Sequence, residues 1–365
     1  MRFWIWAHKW SSLVCTAFLL VLCVTGLPLI FRGEIDHALG YGAGGGTAQP
    51  PAPLAAIEAA AHAAKPTGKI HFLVWQPDKP GVITLSIAPA HAKSYHDNEN
   101  LLLDAATTKP AAGGGDASPT QWLVDLHTSL FLGPIGGLLL GLPALLFIVA
   151  LVSGVVIYGP FARKAGFARI RTDRSRRTVW LDGHNMLGVV ILAWALVVGA
   201  TGLINTWGEY VIRFWQMSEL SRYAVSGPPP ADPVVSIDRI VAVAQARYPS
   251  YRPYFVAYPG SLMAGERFHA VYLRGPEGLE EHIFRPVLVE SATARILAAP
   301  QAPWYVSTLA LSQPLHFGDY GGAPLKVLWA LLDLATIAVL VSGLRLTFSG
   351  GRKKARSAAP TEAHA

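Results

Sequence analysis

Charge is the scarcest feature of this sequence. Only 15% of its 365 residues are Asp, Glu, Lys or Arg, against about 25% in an ordinary soluble domain. That shortfall excludes a freely soluble chain. Cysteine is nearly absent. Cys15 and Cys23 are the only two, and both fall in the first apolar run. Neither can staple a polar domain, and they read as small buried apolar residues. No Cys-x-x-Cys-His motif occurs, which excludes covalent haem attachment. The formal charge is +7, but the basic residues cluster beside apolar runs, so nucleic acid is not a partner.

What the chain has in excess is long apolar segments. A spanning helix needs roughly 20 apolar residues, and Trp10 to Phe31, Leu126 to Ala162, Gly183 to Gly208 and Val327 to Leu344 supply four, the second long enough to include a lead-in before Gly133-Pro134. Asp333 is the single interruption, in the fourth. The first run resembles a secretion signal but is long for one, and reads as an uncleaved helix. Trp4, Trp6, Trp10, Trp122, Tyr158, Trp180, Trp207 and Trp215 cluster near the run ends, as expected of an aromatic belt. Arg163, Lys164, Arg169, Arg171, Arg174, Arg176 and Arg177 crowd the second connection, and Arg352, Lys353, Lys354 and Arg356 the tail. The positive-inside rule then places both termini in the cytoplasm of a bacterial inner membrane.

The expected layout is a first transmembrane helix (residues 1–31), a periplasmic module (32–121), a second helix (122–162) and a basic cytoplasmic loop (163–182). A third helix (183–209), a second periplasmic module (210–315), a fourth helix (316–349) and a cytoplasmic tail (350–365) follow. The first module opens on a Gly/Pro linker, Gly40 to Pro53, with a helix over Leu54 to Ala64 and strands at Ile70 to Trp75 and Val82 to Ala88. The second opens on Pro228-Pro229-Pro230, with a helix from a Ser236 cap and strands near Tyr254 to Ala257, Phe268 to Leu273 and His282 to Val289.

The chain repeats itself. His8 and Thr25-Gly26-Leu27 are matched by His184 and Thr201-Gly202-Leu203, with 18 residues from His to Gly in each. Leu126-His127 and Leu151-Val152-Ser153-Gly154 are matched by Leu315-His316 and Leu340-Val341-Ser342-Gly343, with 27 residues from His to the last Gly in each. The fold class expected is therefore a membrane α-helical four-helix bundle from a duplicated helix–domain–helix unit, with two periplasmic α+β modules. A pseudo-two-fold along the membrane normal relates the halves.

Four of the 12 histidines, His8, His127, His184 and His316, begin apolar helices. Ionisable groups at membrane depth are costly and mark function. The repeat pairs His8 with His184 on the cytoplasmic side and His127 with His316 on the outer side. Two imidazoles from opposite helices supply both axial ligands of a haem iron, so two haem b groups are expected. Eighteen residues make about five turns, so Gly26 and Gly202 share the faces of His8 and His184 and would let a flat macrocycle lie against both helices. Small residues for helix packing are the alternative. Asp125 and Asp182, each two residues before a ligand candidate, stand where they could orient its free N–H. Arg345 either faces a haem propionate or snorkels to the surface. Asp333, opposite Ala144 in the repeat, is a proton-path group or a locked structural carboxylate. His91 and His96 form at most an incomplete metal site. No side chain is assigned a catalytic role.

His8-Lys9-Trp10 with a distal Thr-Gly-Leu, then Leu126-His127, then Pro314-Leu315-His316-Phe317-Gly318, resembles the PepSY-associated transmembrane family over nearly the whole chain. Val287 to Leu297 resembles the closing strand and turn of a PepSY module, with Ala294 where a glycine is usual. The resemblance implies two PepSY-like modules and a place among inner-membrane reductases of ferric siderophores, of the ferrioxamine-reductase kind. Hard hydroxamate and catecholate oxygens favour Fe(III) and hold Fe(II) far less tightly, so one electron releases the metal. The expected partners are the lipid bilayer, a ferric siderophore, and a cytoplasmic or membrane electron donor. The alternatives are electron transport to another periplasmic acceptor, or a non-enzymatic sensor or inhibitory module on a membrane anchor.

Overall fold

The computed structural model describes all residues except 42–48, 77–79, 90–96, 112–117, 224–234, 277–278 and 350–365. His91, His96, Pro228-Pro229-Pro230, part of the Gly40–Pro53 linker and the basic tail from Arg352 to Arg356 lie outside the described residues. In chain order the elements are α1 (Arg2–Leu29), α2 (Arg32–Ala38), α3 (Leu54–Ala64), β1 (Lys69–Trp75), β2 (Val82–Ala88), β3 (Glu99–Asp104), α4 (Pro119–Ser129), α5 (Gly133–Ala165) and α6 (Arg176–Thr206). Then come α7 (Gly208–Ser218), α8 (Ile237–Arg247), β4 (Arg252–Ala257), β5 (Phe268–Arg274), α9 (Leu279–His282), β6 (Phe284–Glu290), β7 (Ile296–Ala298), α10 (Trp304–Phe317) and α11 (Gly322–Phe348). The chain divides into two compact units, residues 1–31 with 123–206 and 315–365, and residues 32–122 with 207–314.

The first unit is the membrane bundle. Helices α1, α5, α6 and α11 are each long and apolar enough to cross a bilayer. At 1.5 Å per residue they run about 40–50 Å, against about 30 Å of hydrocarbon. Helix α1 packs on α5 and α11, and α6 packs on α5 and α11, so α1 and α6 face each other diagonally.

Two breaks differ from the expected layout. The second apolar run is not one helix. It stops at Ser129, and Leu130 and Phe131 turn left-handed (φ 51° and 60°) ahead of Gly133 at 56°. The fourth helix, expected over 316–349, is interrupted between Phe317 and Gly322, through Gly318 (φ 69°) and Gly322 (φ 62°). His127 and His316 therefore do not begin spanning helices. Each lies in the last turns of a separate short helix, α4 or α10. Left-handed backbone costs about 1–2 kcal/mol at a residue with a Cβ, so the α4–α5 corner holds its conformation only through the packing on either side. Helix α6 starts seven residues earlier than the apolar run, because Arg176, Arg177 and Asp182 tolerate helix as well as loop.

The second unit is built on one sheet. Strand order is β3-β2-β1-β4-β5-β6-β7, antiparallel throughout. The two modules read from the sequence are thus not separate. Strand β1 of the first pairs with β4 of the second, Leu73 opposite Val256. Helices α3 and α8 cover one face through Ile57, Ile240 and Ala244, packed on Leu73, Leu85, Val256, Val271 and Val287. Asp238 near the start of α8 accepts from Leu54 N (2.7 Å) and Ala55 N (3.0 Å), capping α3 from the other module. Ser236 caps α8, accepting from Arg239 N. Tyr258 donates to Glu58 at 2.7 Å. One continuous core follows because neither half, three strands in one and four in the other, has enough apolar area to stand alone. Ala294 takes φ 56°, the left-handed region that explains the usual glycine there. Trp215 is buried against Tyr272, ring centroids 6.3 Å apart, so it is a core residue and not part of an aromatic belt.

His269 on β5 makes this unit acid-sensitive. Its ring is buried with Nδ1 3.0 Å from Ser291 Oγ, and burial pushes its pKa down to about 4 from 6.5. The unfolded ring takes a proton near pH 6.5, the folded one only near 4. Stability is therefore complete above pH 6.5 and falls as pH drops to 4, by about 3 kcal/mol in all. Glu58, whose pKa burial raises, acts in the opposite direction. Urea unfolding of the full-length protein in detergent should weaken between pH 7 and 4.5, and His269→Gln should remove most of that loss. An unchanged profile in the variant would refute the assignment.

Candidate haem-binding site

Among the described residues, no three His, Cys, Asp or Glu side chains gather as a conventional metal site. The imidazoles meet in twos. His8 of α1 and His184 of α6 lie 6.4 Å apart between ring centroids, with planes at 75°. His127 of α4 and His316 of α10 lie 6.3 Å apart, with planes at 59°. A metal–imidazole nitrogen bond is about 2.0 Å and the nitrogen stands about 1.2 Å from its ring centre, so trans imidazoles on one metal have centroids about 6.3 Å apart. Both separations match that figure.

Each ring is seated in the same way. His8 Nδ1 is 2.9 Å from Ala150 O and 3.4 Å from Ser153 Oγ. His184 Nδ1 is 3.1 Å from Val339 O and 2.9 Å from Ser342 Oγ. His316 Nδ1 is 3.0 Å from Val198 O and 3.4 Å from Thr201 Oγ1. His127 Nδ1 is 3.0 Å from Thr25 Oγ1. A carbonyl only accepts, so three of these nitrogens carry the proton. Thr25 spends its own proton on Val21 O at 2.7 Å, so its oxygen also accepts. All four rings are held as the Nδ1–H tautomer, which leaves Nε2 with a lone pair. A carbonyl or hydroxyl behind a ligating imidazole is the usual outer partner that fixes its orientation.

Glycine supplies the floor of each seat. A Cβ on Gly26 would lie 3.1 Å from His127 Cε1, on Gly154 3.2 Å from His8 Cε1, on Gly202 3.0 Å from His316 Cε1, and on Gly343 3.4 Å from His184 Cε1. Gly26 and Gly202 therefore make room for an imidazole edge, which differs from the flat macrocycle expected against them. Gly154 and Gly343 do the same for the other pair, a role the sequence reading left unassigned. The available signal was the hydroxyl–glycine dipeptide, Thr25-Gly26, Thr201-Gly202, Ser153-Gly154 and Ser342-Gly343.

The other candidates separate. Asp182 is buried and bound by Arg171 through the backbone N (2.9 Å), Nε (3.0 Å) and Nη2 (2.8 Å). It anchors the loop after α5 and does not orient His184. The proton of His127 goes to Thr25. Arg345 stacks its guanidinium 4.3 Å over the Trp180 ring. Cys15 is buried beside Leu19 and Leu340, and Asp333 is buried in the bundle with Cys23 as neighbour.

The PepSY-associated TM region matches residues 5–349. The chain belongs to that family. Among curated proteins it is similar to an uncharacterized protein of Pseudomonas aeruginosa, 27% identical over 251 residues, 61% of this chain and 62% of the relative. The chain thus spans less than two thirds of that relative's length. Membership in this family agrees with a membrane protein of four apolar helices joined to a sheet-bearing unit.

Proposed function

We propose that this family member is a di-haem b-type membrane reductase, which passes electrons across the bacterial inner membrane to Fe(III) held by a siderophore and releases Fe(II) in the periplasm. The observation that carries the reading is the pair of histidine couples at metal-bridging separation, each ring with its Nδ1 proton tied down and its Nε2 left to bind. His8 and His184 would hold one haem, His127 and His316 the other. A bis-imidazole haem supplies one-electron transfer with no open coordination position.

The residues' own work is positioning. Ala150, Ser153, Val339 and Ser342 fix one pair, and Thr25, Val198 and Thr201 the other. Eighteen residues separate His8 from Gly26, about 27 Å along α1, so the two seats lie toward opposite bilayer faces. The matched seats support a duplicated unit. The basic residues from Arg163 to Arg177 support cytoplasmic termini, a periplasmic sheet unit, and a docking place for an acidic cytoplasmic donor; a membrane donor would approach from the lipid.

The purified protein should give about two haems per chain by pyridine haemochrome, extractable with acid acetone since no thioether link is available. Anaerobically reduced protein should be reoxidised by ferric siderophore, with Fe(II) captured by a chelator. A haem content near zero defeats the reading. Haems that ignore ferric siderophore but reduce another periplasmic acceptor defeat the siderophore assignment alone.

A further inference from the structure

One buried charge in the bundle has no part in seating the histidines. Asp333 of α11 is 7% exposed, and its Oδ2 is buried with no hydrogen-bond partner. The Cys23 thiol is the carboxylate's hydrogen-bond partner, a weak donor that leaves it only partly compensated, and a buried carboxylate short of partners is expensive and rarely kept without use. Its position is specific. The neighbouring Cys23 of α1 lies three residues, about 4.5 Å along the axis, before Gly26, the seat of His127. Ten residues, about 15 Å, separate Asp333 from Gly343, the seat of His184. The carboxylate thus belongs to the level of the His127–His316 pair, and its repeat counterpart is Ala144, so only one half carries it.

Two further polar groups share that interior stretch. Trp329, one turn before Asp333 on the same face of α11, has a buried indole Nε1 without a partner. Trp194 of α6 meets it edge-on at 6.4 Å, and its Nε1 is likewise without a partner. Among the described residues of the spanning helices around it, no other Asp, Glu, Lys or Arg lies at that level. Helix α1 contributes Cys23 and, two turns away, Cys15. Helix α5 has no Asp, Glu, Lys or Arg from Gly133 to Ala162, and α6 none from Gly183 to Thr206. The nearest charges on α11 itself are Lys326 and Arg345, two and more than three turns off. From α4 and α10 the titratable groups at that level are His127 and His316.

We propose that Asp333 is the redox-linked proton acceptor of the His127–His316 site. This rests on the haem reading above. When that site gains one electron, the Asp333 carboxylate takes one proton from the aqueous phase and becomes a carboxylic acid. When the electron leaves, the O–H bond breaks and the proton returns. The charge of the buried region is then the same in both states. The reason is electrostatic: an added negative charge in a low-dielectric interior raises the proton affinity of a nearby carboxylate. Trp329, one turn away on the same helix face, has an indole N–H without a partner and is the nearest candidate on α11 to stabilise the ionised form.

The test is a potentiometric titration of the full-length haem-loaded protein from pH 5.5 to 9, with dithionite and ferricyanide as titrants. One pH unit is a tenfold change in proton activity, about 59 mV for a one-electron couple. The midpoint of the haem lost in His127→Ala should fall with pH at a slope approaching that figure. Asp333→Asn should flatten it, leaving the other haem unchanged. Reduced-minus-oxidised infrared spectra should contain the carbonyl stretch of a protonated carboxylic acid, absent in Asp333→Asn and retained in Asp333→Glu. Should Asp333→Asn not fold, Trp329→Phe serves, and should move the pH range of the slope. A flat native midpoint, or a slope that survives in Asp333→Asn, overturns the proposal. A preparation without haem overturns the reading beneath it instead.

Discussion

Replacing His127 with alanine should leave one haem per chain in place of two, and His316→Ala should delete the same one. His8→Ala and His184→Ala should delete the other. The expectation follows from the haem reading proposed above and from the ring separations of 6.4 and 6.3 Å, which are the right length for two imidazoles on one metal. A single imidazole cannot hold the macrocycle at its former position, because the carbonyl and hydroxyl partners orient the remaining ligand and do not replace the lost bond. The effect should be near-complete loss of one haem, read by pyridine haemochrome and by the reduced absorbance band that vanishes. The retained haem should keep its band position. If His8→Ala and His127→Ala remove the same haem, the pairing is wrong.

Gly202→Val should be as damaging to the His127–His316 site as losing a ligand. A Cβ there meets His316 Cε1 at 3.0 Å and Nδ1 at 3.4 Å, and valine adds two more methyl groups toward the ring. The imidazole must swing off Val198 O, and an ångström of misplacement is enough to lose an axial bond. The helix itself does not suffer, since glycine is the poorer helix former by about 1 kcal/mol relative to alanine. Alanine substitutions should grade with the available space. Gly202→Ala at 3.0 Å should lower haem content or shift the spectrum most, Gly26→Ala and Gly154→Ala at 3.1 and 3.2 Å less, and Gly343→Ala at 3.4 Å hardly at all. Haem occupancy and thermal midpoint measured together separate a lost seat from a lost fold. Equal tolerance at all four glycines would show that the seats are not tight.

Much of this was legible in the residues. The spans were readable because a lipid core demands long uncharged runs, and apolar length is a local property. The matched spacings paired the four histidines because helical rise converts residue number to depth. Strands β1, β2, β4, β5 and β6 were visible as β-branched and aromatic runs. Strand β3 was missed, as its Glu99-Asn100 start carries little strand signal. Helices α7 and α10 were hidden, one by its polar face and one by lying inside what reads as a single domain boundary. The length of the second run and its Gly133-Pro134 pair marked a lead-in ahead of the spanning helix; the left-handed turn at Leu130-Phe131 left no signal, because neither residue favours that backbone and only packing imposes it.

By itself, then, the sequence determined the number of candidate spans, the axial spacing between each histidine and its matched glycine, and the correspondence in spacing of His8 with His184 and His127 with His316. These follow from composition and axial rise, which need no neighbour. Three things required the tertiary structure. The first is that Gly26, Gly154, Gly202 and Gly343 floor imidazoles from other helices. The second is that Asp182 spends itself on Arg171. The third is that the two modules read from the sequence share one sheet through β1 and β4. Each depends on which surfaces meet: the glycine seats and the β1–β4 pairing join residues more than a hundred positions apart, and even the Arg171–Asp182 contact, 11 residues apart, crosses a loop that local periodicity does not describe.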